Sequence, residues 1–253
     1  MNLVIAAGQT ASIPGDISRN VKNHLRFGTA AAERGVQLLV FPELSLTGYE
    51  LAMAPTHVVR PDSAELDPLR RLAEEAQMTI VAGAPLRNKQ GKLNIGALAM
   101  RPDGSVSTHT KEHVHESEMH VFTSGPGGPM LCIARSSVAL AICADASHPE
   151  HAAQAAARGA NIYAAGVLLD DESYTRKIKL LESYAREHRM AVLMANYSGQ
   201  SGEYRSAGKS AVWSEDGQVV AASAGAEEEL VIAGKKNGVW EGRVVAQASG
   251  VRG

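Results

Sequence analysis

The sequence predicts an α/β fold in which helices pack on β-sheet. Short apolar runs of strand length alternate with amphipathic stretches of helix length along the chain. The 253 residues show neither a linker-like composition nor a repeat of fixed period, so one domain over 1–253 is expected. A chain of this size buries roughly three quarters of the surface that its unfolded form exposes.

The elements follow in order. Leu3–Ala7 reads as a buried strand. Asp16 or Ser18 can cap a helix over Arg19–Arg34, where Val21, Leu25 and Ala32 form an apolar face and Gly35 stops it. Gln37–Phe41 is a second strand, ended by Pro42. Ala64–Gln77 spaces Leu66, Leu69, Leu72, Ala73 and Ala76 as a helix does. Thr79–Ala84, Ile95–Arg101 and Val138–Ile142 read as strands. Glu150–Arg158 is an alanine-rich helix closed by Gly159, followed by strand Ile162–Ala165 and a long helix over Tyr174–His188. Ala191–Ala195, Ser210–Trp213 and Val219–Ser223 complete the predicted elements, with Asp216-Gly217 as a hairpin turn. The acidic run Glu227–Glu229 and the pair Lys235-Lys236 read as solvated turns.

Composition removes several function classes. Twenty-five basic residues against 27 acidic ones leave a net charge of -2, which suits neither a nucleic-acid nor an anionic-membrane partner. Aromatic residues at 4% are too few for a base-stacking platform. No apolar run approaches the ~20 residues of a membrane span. Met1–Gly8 lacks the basic flank and apolar stretch of a signal peptide, so a soluble cytoplasmic protein is expected. Two cysteines make no disulfide framework and no four-cysteine zinc site.

Three places can carry chemistry. Cys143 ends the apolar run Ser137–Ile142 just before a predicted helix. An exposed cysteine there can serve as a nucleophile whose thiolate the helix dipole favours; the competing reading packs it as a small hydrophobe. Cys132, inside Met130–Ala134, reads as core. Glu43 follows Val40-Phe41-Pro42, beyond a strand's carboxyl end, where α/β folds place their sites; it is either a general base or a solvated loop acid. The stretch His109–His120 holds four of the nine histidines. His113 and His115 with Glu116 or Glu118 could ligate zinc, but the spacing fits no standard site. A solvated loop and a paired cation at Lys111 are the alternatives. Gly125-Pro126-Gly127-Gly128 lacks the Lys-Ser/Thr of a phosphate loop, and no G-x-G-x-x-G follows the first strand.

Together these places resemble the nitrilase superfamily of carbon–nitrogen hydrolases. FPELSLTGY at Phe41–Tyr49, KEH at Lys111–His113 and CADASHPE at Cys143–Glu150 stand in the family's chain order. Phe122 to Gly125, Asn196 within Ala195–Gly199, and Gly208-Lys209-Ser210 extend the likeness to most of the chain. The resemblance implies a four-layer α-β-β-α sandwich whose subunits pair into a homodimer or a higher homo-oligomer, with contacts from Asp170 to Glu187. It also implies roles: Cys143 as nucleophile, Glu43 as general base and acid, and Lys111 with the Ala144 N–H as oxyanion partners. Glu118, rather than Glu116, stands where relatives carry a second glutamate beside the lysine. Tyr49, Ala144, Ser147 and His148 are the expected pocket residues. Ala144, Ser147 and His148 replace larger family residues, so a smaller and more polar pocket wall is expected.

The resulting expectation is an amidase that uses no metal or organic cofactor. Its partners are a small carboxamide and water, and it releases ammonia through a cysteine thioester. An N-carbamoyl amino-acid amidohydrolase or a nitrilase is the alternative within this chemistry. A His-rich metal-binding protein, or a catalytically silent binding protein, is the alternative outside it.

Overall fold

The computed structural model describes residues 2–247. In chain order the first elements are β1 (Asn2–Gln9), α1 (Ile17–Ala32), β2 (Leu38–Val40), α2 (Asp67–Glu75), β3 (Thr79–Arg87), β4 (Leu93–Met100) and β5 (Val106–Thr110). Next come β6 (Leu131–Ile133), β7 (Ser136–Ile142), α3 (Pro149–Ala157), β8 (Ile162–Gly166), α4 (Asp171–His188) and β9 (Ala191–Ala195). The last are β10 (Gln200–Ser201), β11 (Tyr204–Arg205), β12 (Ala211–Trp213), β13 (Val219–Ala222), β14 (Glu229–Lys236) and β15 (Val239–Ala246).

Two sheets face each other. One has the order β15-β14-β1-β2-β3-β4-β5 and the other β13-β12-β9-β8-β7-β6. β1, β2 and β3 are parallel, as are β7, β8 and β9; the outer strands pair antiparallel. Strand alternation sorts the side chains into layers. Ile5, Ala7, Leu38 and Val40 meet Val138, Leu140, Ile142 and Leu193 between the sheets. On the outer face of the first sheet, Ala6, Leu39 and Ile80 pack under Val21, Phe27 and Ala31 of α1 and Leu69 and Ala73 of α2. On the second sheet, Tyr163, Val192 and Met194 pack under Ala152 and Ala155 of α3 and Leu181, Tyr184 and Ala185 of α4. Each large apolar side chain buried this way contributes about 1.5–3 kcal/mol. The result is a four-layer α-β-β-α sandwich.

Local chemistry sets the helix ends. Asp16 caps α1 by accepting from the Arg19 N–H at 3.0 Å, and Gly35 turns the chain away with φ 67°. Asp170 caps α4 in the same way, accepting from Ser173 N–H at 2.8 Å. α2 is shorter than its apolar spacing suggests. A 3-10 turn at Ala64–Leu66 precedes it, Pro68 sits in its first turn, and Gln77 leaves in the left-handed region with φ 51°.

The structure corrects the sequence reading in four places. Regular structure continues past Ser223, because β14 pairs along all of β1 and β15 pairs with β14. Lys235 and Lys236 therefore end a strand rather than occupy a turn, and Lys235 pairs with Glu215. In the acidic run Glu228 is buried, with its carboxylate accepting from Asn23 and Arg26. His109 belongs to β5, so the histidine-rich stretch starts in a strand. Cys132 is exposed: β6 is an edge strand that turns Leu131 and Ile133 inward and the cysteine outward. Among the described residues no helix is long and apolar enough to cross a membrane.

Candidate active site

β2 and β3 are parallel, as are β7 and β8, and β5 runs in the same direction as β3 through two antiparallel pairings. The carboxyl ends of β2, β5 and β7 deliver Glu43, Lys111 and Cys143, in line with the rule that open α/β sheets carry their sites at those ends. Pro42 stops β2, and Leu44, directly after Glu43, turns the chain with φ 53°. The loop fits only because two glycines leave room for it. A Cβ on Gly83 would stand 2.3 Å from Leu44 N, and one on Gly166 would stand 2.7 Å from Phe41 O.

Lys111 is fully buried at the centre. Its Nζ donates to Glu43 Oε1 at 2.7 Å and to both Glu118 oxygens at 2.8 Å. Glu118 is buried as well; it accepts from the Tyr49 hydroxyl at 2.5 Å and from the His115 N–H at 2.8 Å. Glu116, by contrast, is exposed. A 3-10 turn over Glu116–Glu118 produces this difference, pointing the two acids apart.

Cys143 has φ 43°, an arrangement costing a non-glycine residue about 1–3 kcal/mol and common at functional turns. Asp145 holds that turn. Fully buried, it accepts from Ile142 N–H at 3.0 Å, Glu112 N–H at 3.1 Å and His113 N–H at 2.8 Å. One carboxylate thus ties the Cys143 turn to the Lys111 loop. The sequence reading assigned it no role, although its place two residues beyond the cysteine in CADASHPE marked it. Asn196 braces the other side. Its side chain accepts from Leu169 N–H at 2.9 Å and donates to Leu169 O at 3.0 Å, which fixes the segment whose Leu168 O receives the Cys143 thiol at 3.7 Å.

Electrostatics follow from burial. Burial pushes the Glu43 carboxyl up, Lys111 pulls it back and Glu118 raises it again, leaving it at about 7. Burial opposes the Lys111 ammonium, but the fields of Glu43, Cys143 and Glu118 outweigh it and hold its pKa above the usual lysine value. Burial and the neighbouring Glu43 push the Cys143 thiol up to about 12, against the pull of Lys111 and Lys177. The expected thiolate is therefore corrected. The helix starts only at Pro149, after a 3-10 turn, and burial outweighs its dipole. The resting group is a thiol. Among the described residues Glu43 Oε2 is buried without a hydrogen-bond partner.

A cavity of about 400 Å³ opens onto the thiol, within the range of small-molecule sites. Tyr49, Ala144 and Ser147 line it with Leu168, Lys177 and Tyr204. His148 does not. Its ring stacks on His113 at 3.9 Å, away from the cavity. Lys177 is a cavity residue that the sequence reading missed, because a lysine on a predicted amphipathic helix looks like a solvated face.

Among the described residues His113 and His115 do not gather with Glu116 or Glu118 as a ligand set, and Glu118 is engaged by Lys111 and Tyr49. A different group, His109, Glu112 and His151, brings its ligand atoms within 4.8 Å of one another. His109 there is buried, and neither ring nitrogen has a hydrogen-bond partner among the described residues.

The two facing sheets, each covered by helices on its outer face, form a fold of the nitrilase type. The sequence profile of the carbon-nitrogen hydrolase family matches residues 4–237, and the chain belongs to that family, within the nitrilase superfamily. It is 26% identical over 204 residues to a formamidase of Pseudomonas syringae pv. tomato, covering 78% of this chain and 59% of that protein. The chain thus spans about six-tenths of the length of that relative. A double mutant of the amidase from Nesterenkonia sp. AN1, in complex with acrylamide, superposes with a TM-score of 0.84 at 25% identity, covering 93% of this chain and 91% of that one. In another structure of that amidase the acetamide moiety of fluoroacetamide is covalently added at the active site cysteine. Nit3 of Saccharomyces cerevisiae, at 22% identity, shares the fold with a TM-score of 0.85 over 93% of this chain and 90% of its own.

Proposed function

We propose that the protein is an amidase that hydrolyses a small carboxamide through a Cys143 thioester. The observation that carries this reading is the buried Glu43–Lys111–Glu118 cluster beside a cysteine facing a cavity. The formamidase and amidase relatives, and the adduct at the cysteine of the amidase from Nesterenkonia sp. AN1, support it.

The chemistry follows from the geometry. A thiol at about 12 keeps its proton at neutral pH, so attack needs a base at hand. Glu43 Oε2, unpartnered in the resting site, takes the proton as sulfur bonds to the carbonyl carbon. The oxyanion that develops is stabilised by the Lys111 ammonium and the Ala144 N–H. As the intermediate collapses, the C–N bond breaks, protonated Glu43 returns its proton to nitrogen, and ammonia departs. Water then attacks the thioester, giving its proton to Glu43, and the carboxylic acid leaves as the thiol is restored. Glu118 acts on Lys111, holding the ammonium in place with the help of Tyr49.

Two expected results test these roles. Glu43 must be a carboxylate to accept a proton, so kcat/KM falls as pH drops through about 7. Because its folded pKa lies above the ordinary value, the folded state binds the extra proton in that window. Its contribution to stability therefore declines as pH rises from the ordinary carboxylate range to about 7, while activity climbs. A profile flat through neutrality would remove Glu43 as the base. Second, Glu118→Gln should cut kcat on the order of tenfold or more by loosening Lys111, whereas exposed Glu116→Gln should be mild. Ammonia release from simple amides by each variant reads this directly, and the opposite ranking would contradict the role given to Glu118.

A further inference from the structure

A buried imidazole that meets no partner costs free energy until something in the structure satisfies it. His109 is such a group: 5% exposed, with no hydrogen bond at either ring nitrogen among the described residues. It lies near the end of β5, Glu112 follows in the Lys111 loop, and His151 stands in the first turn of α3. The three line a second cavity, of about 20 Å³, that Glu43, Lys111 and Cys143 do not touch. Such a volume holds one ion or one water and excludes an organic ligand. His151 Nε2 stands 3.4 Å from Glu112 Oε1. That is longer than an ordinary hydrogen bond of about 2.7–3.2 Å. It matches the roughly 3.3–3.4 Å between two ligands of a tetrahedral zinc ion bound at about 2.0–2.1 Å. His109 completes the set, with one ligand atom from each residue within 4.8 Å of the others. On its far side the His151 ring meets the Tyr163 hydroxyl through Nδ1 at 2.8 Å, which aims Nε2 into the cavity. Arg158, the cation on this wall, donates to Gly128 O at 3.3 Å, and the buried Asp145 carboxylate accepts from the Glu112 N–H at 3.1 Å. The Glu112 side chain is 31% exposed and gives an ion a way in from solvent.

We propose that His109, Glu112 and His151 form a structural site for a divalent transition-metal ion of the zinc type, which ties the Lys111 loop to α3. Two imidazoles and one carboxylate suit zinc rather than magnesium or calcium, which take oxygen donors. The ion would draw His109 in toward the other two ligands and leave the fourth position to a single water. It takes no part in bond cleavage, so the site stands or falls independently of the amidase reading. Its effect is on the fold: ligands from a strand end of the first sheet and from a helix on the second make metal binding resist their separation.

The test titrates Zn²⁺ into the tag-free full chain after chelator treatment and dialysis, by calorimetry and by metal analysis. A Cys132→Ala/Cys143→Ala double variant runs in parallel, so that a thiol-bound ion is not counted. Both proteins should take up one Zn²⁺ per chain. Zn²⁺ at a hundredfold excess over its Kd should raise Tm by about 5 °C or more, and Mg²⁺ should not. Tyr163→Phe, which removes the hydroxyl behind His151, should weaken binding about tenfold. Glu112→Gln should weaken it at least as much. His109→Phe fills the imidazole's space without a polar atom, so it should abolish binding while the metal-free protein keeps its Tm or gains on it. Exposed His120→Asn should leave binding unchanged. Co²⁺ in place of zinc should show the visible bands of a tetrahedral site in wild type and lose them in Glu112→Gln. No zinc uptake would mean that the cavity holds water and would overturn the site. So would uptake that survives both His109→Phe and Glu112→Gln, uptake lost with the two cysteines, or an equal response to Mg²⁺.

Discussion

Cys143→Ala is expected to abolish amide turnover, by on the order of a thousandfold or more, while Cys132→Ala leaves it near the wild-type rate. Nucleophile and base act as a unit, so removing the sulfur forfeits the whole covalent route rather than a share of it. Cys143 sits beside Glu43 and Lys111 on a turn with φ 43°, facing the cavity. Cys132 is exposed on an edge strand and touches none of these groups, and surface substitutions of that kind usually stay within about 0.5 kcal/mol of wild-type stability. Steady-state ammonia release, with circular dichroism to confirm folding, checks both variants. Equal loss in both, with both folded, would remove the nucleophile assignment.

Lys111→Arg should lower kcat on the order of a hundredfold or more. The ammonium is fully buried and its three near oxygens all lie within 2.7–2.8 Å, belonging to two different carboxylates. A planar guanidinium is longer and presents a fork; it can pair with one carboxylate but cannot occupy the point where both converge. The oxyanion partner is displaced and Glu43 loses the charge that restrains its pKa. Turnover near wild type in Lys111→Arg would show that the lysine serves packing alone.

Much of this architecture is legible in the sequence because burial on both faces gives a strong local signal. β1, β3, β7, β8 and β9 are apolar runs of strand length, and α1 announces itself by Asp16 and Gly35. β14 and β15 escape that reading for a physical reason. The charges of Glu229, Lys235 and Lys236 cluster at the ends of β14, while Leu230 and Ile232 face the helices and Val231 and Ala233 face the second sheet. β6 is too short for its period to show, so exposed Cys132 looks like core. For the site, residue type and chain order bring Glu43, Lys111, Glu118 and Cys143 to attention, and the structure gathers them at one end of the sheets. What stays hidden depends on long-range burial: the neutral thiol, the Asp145 tie between two loops, and Lys177 turned inward from an amphipathic helix.

The most direct measurement is rapid acid quench of wild type during turnover of a small amide, followed by peptide mass spectrometry. The peptide bearing Cys143 should carry the substrate's acyl group, labile to hydroxylamine, with ammonia released in step with its formation. Ammonia release with Cys143 unmodified at every time, or with the acyl group on Cys132, would contradict the thioester route.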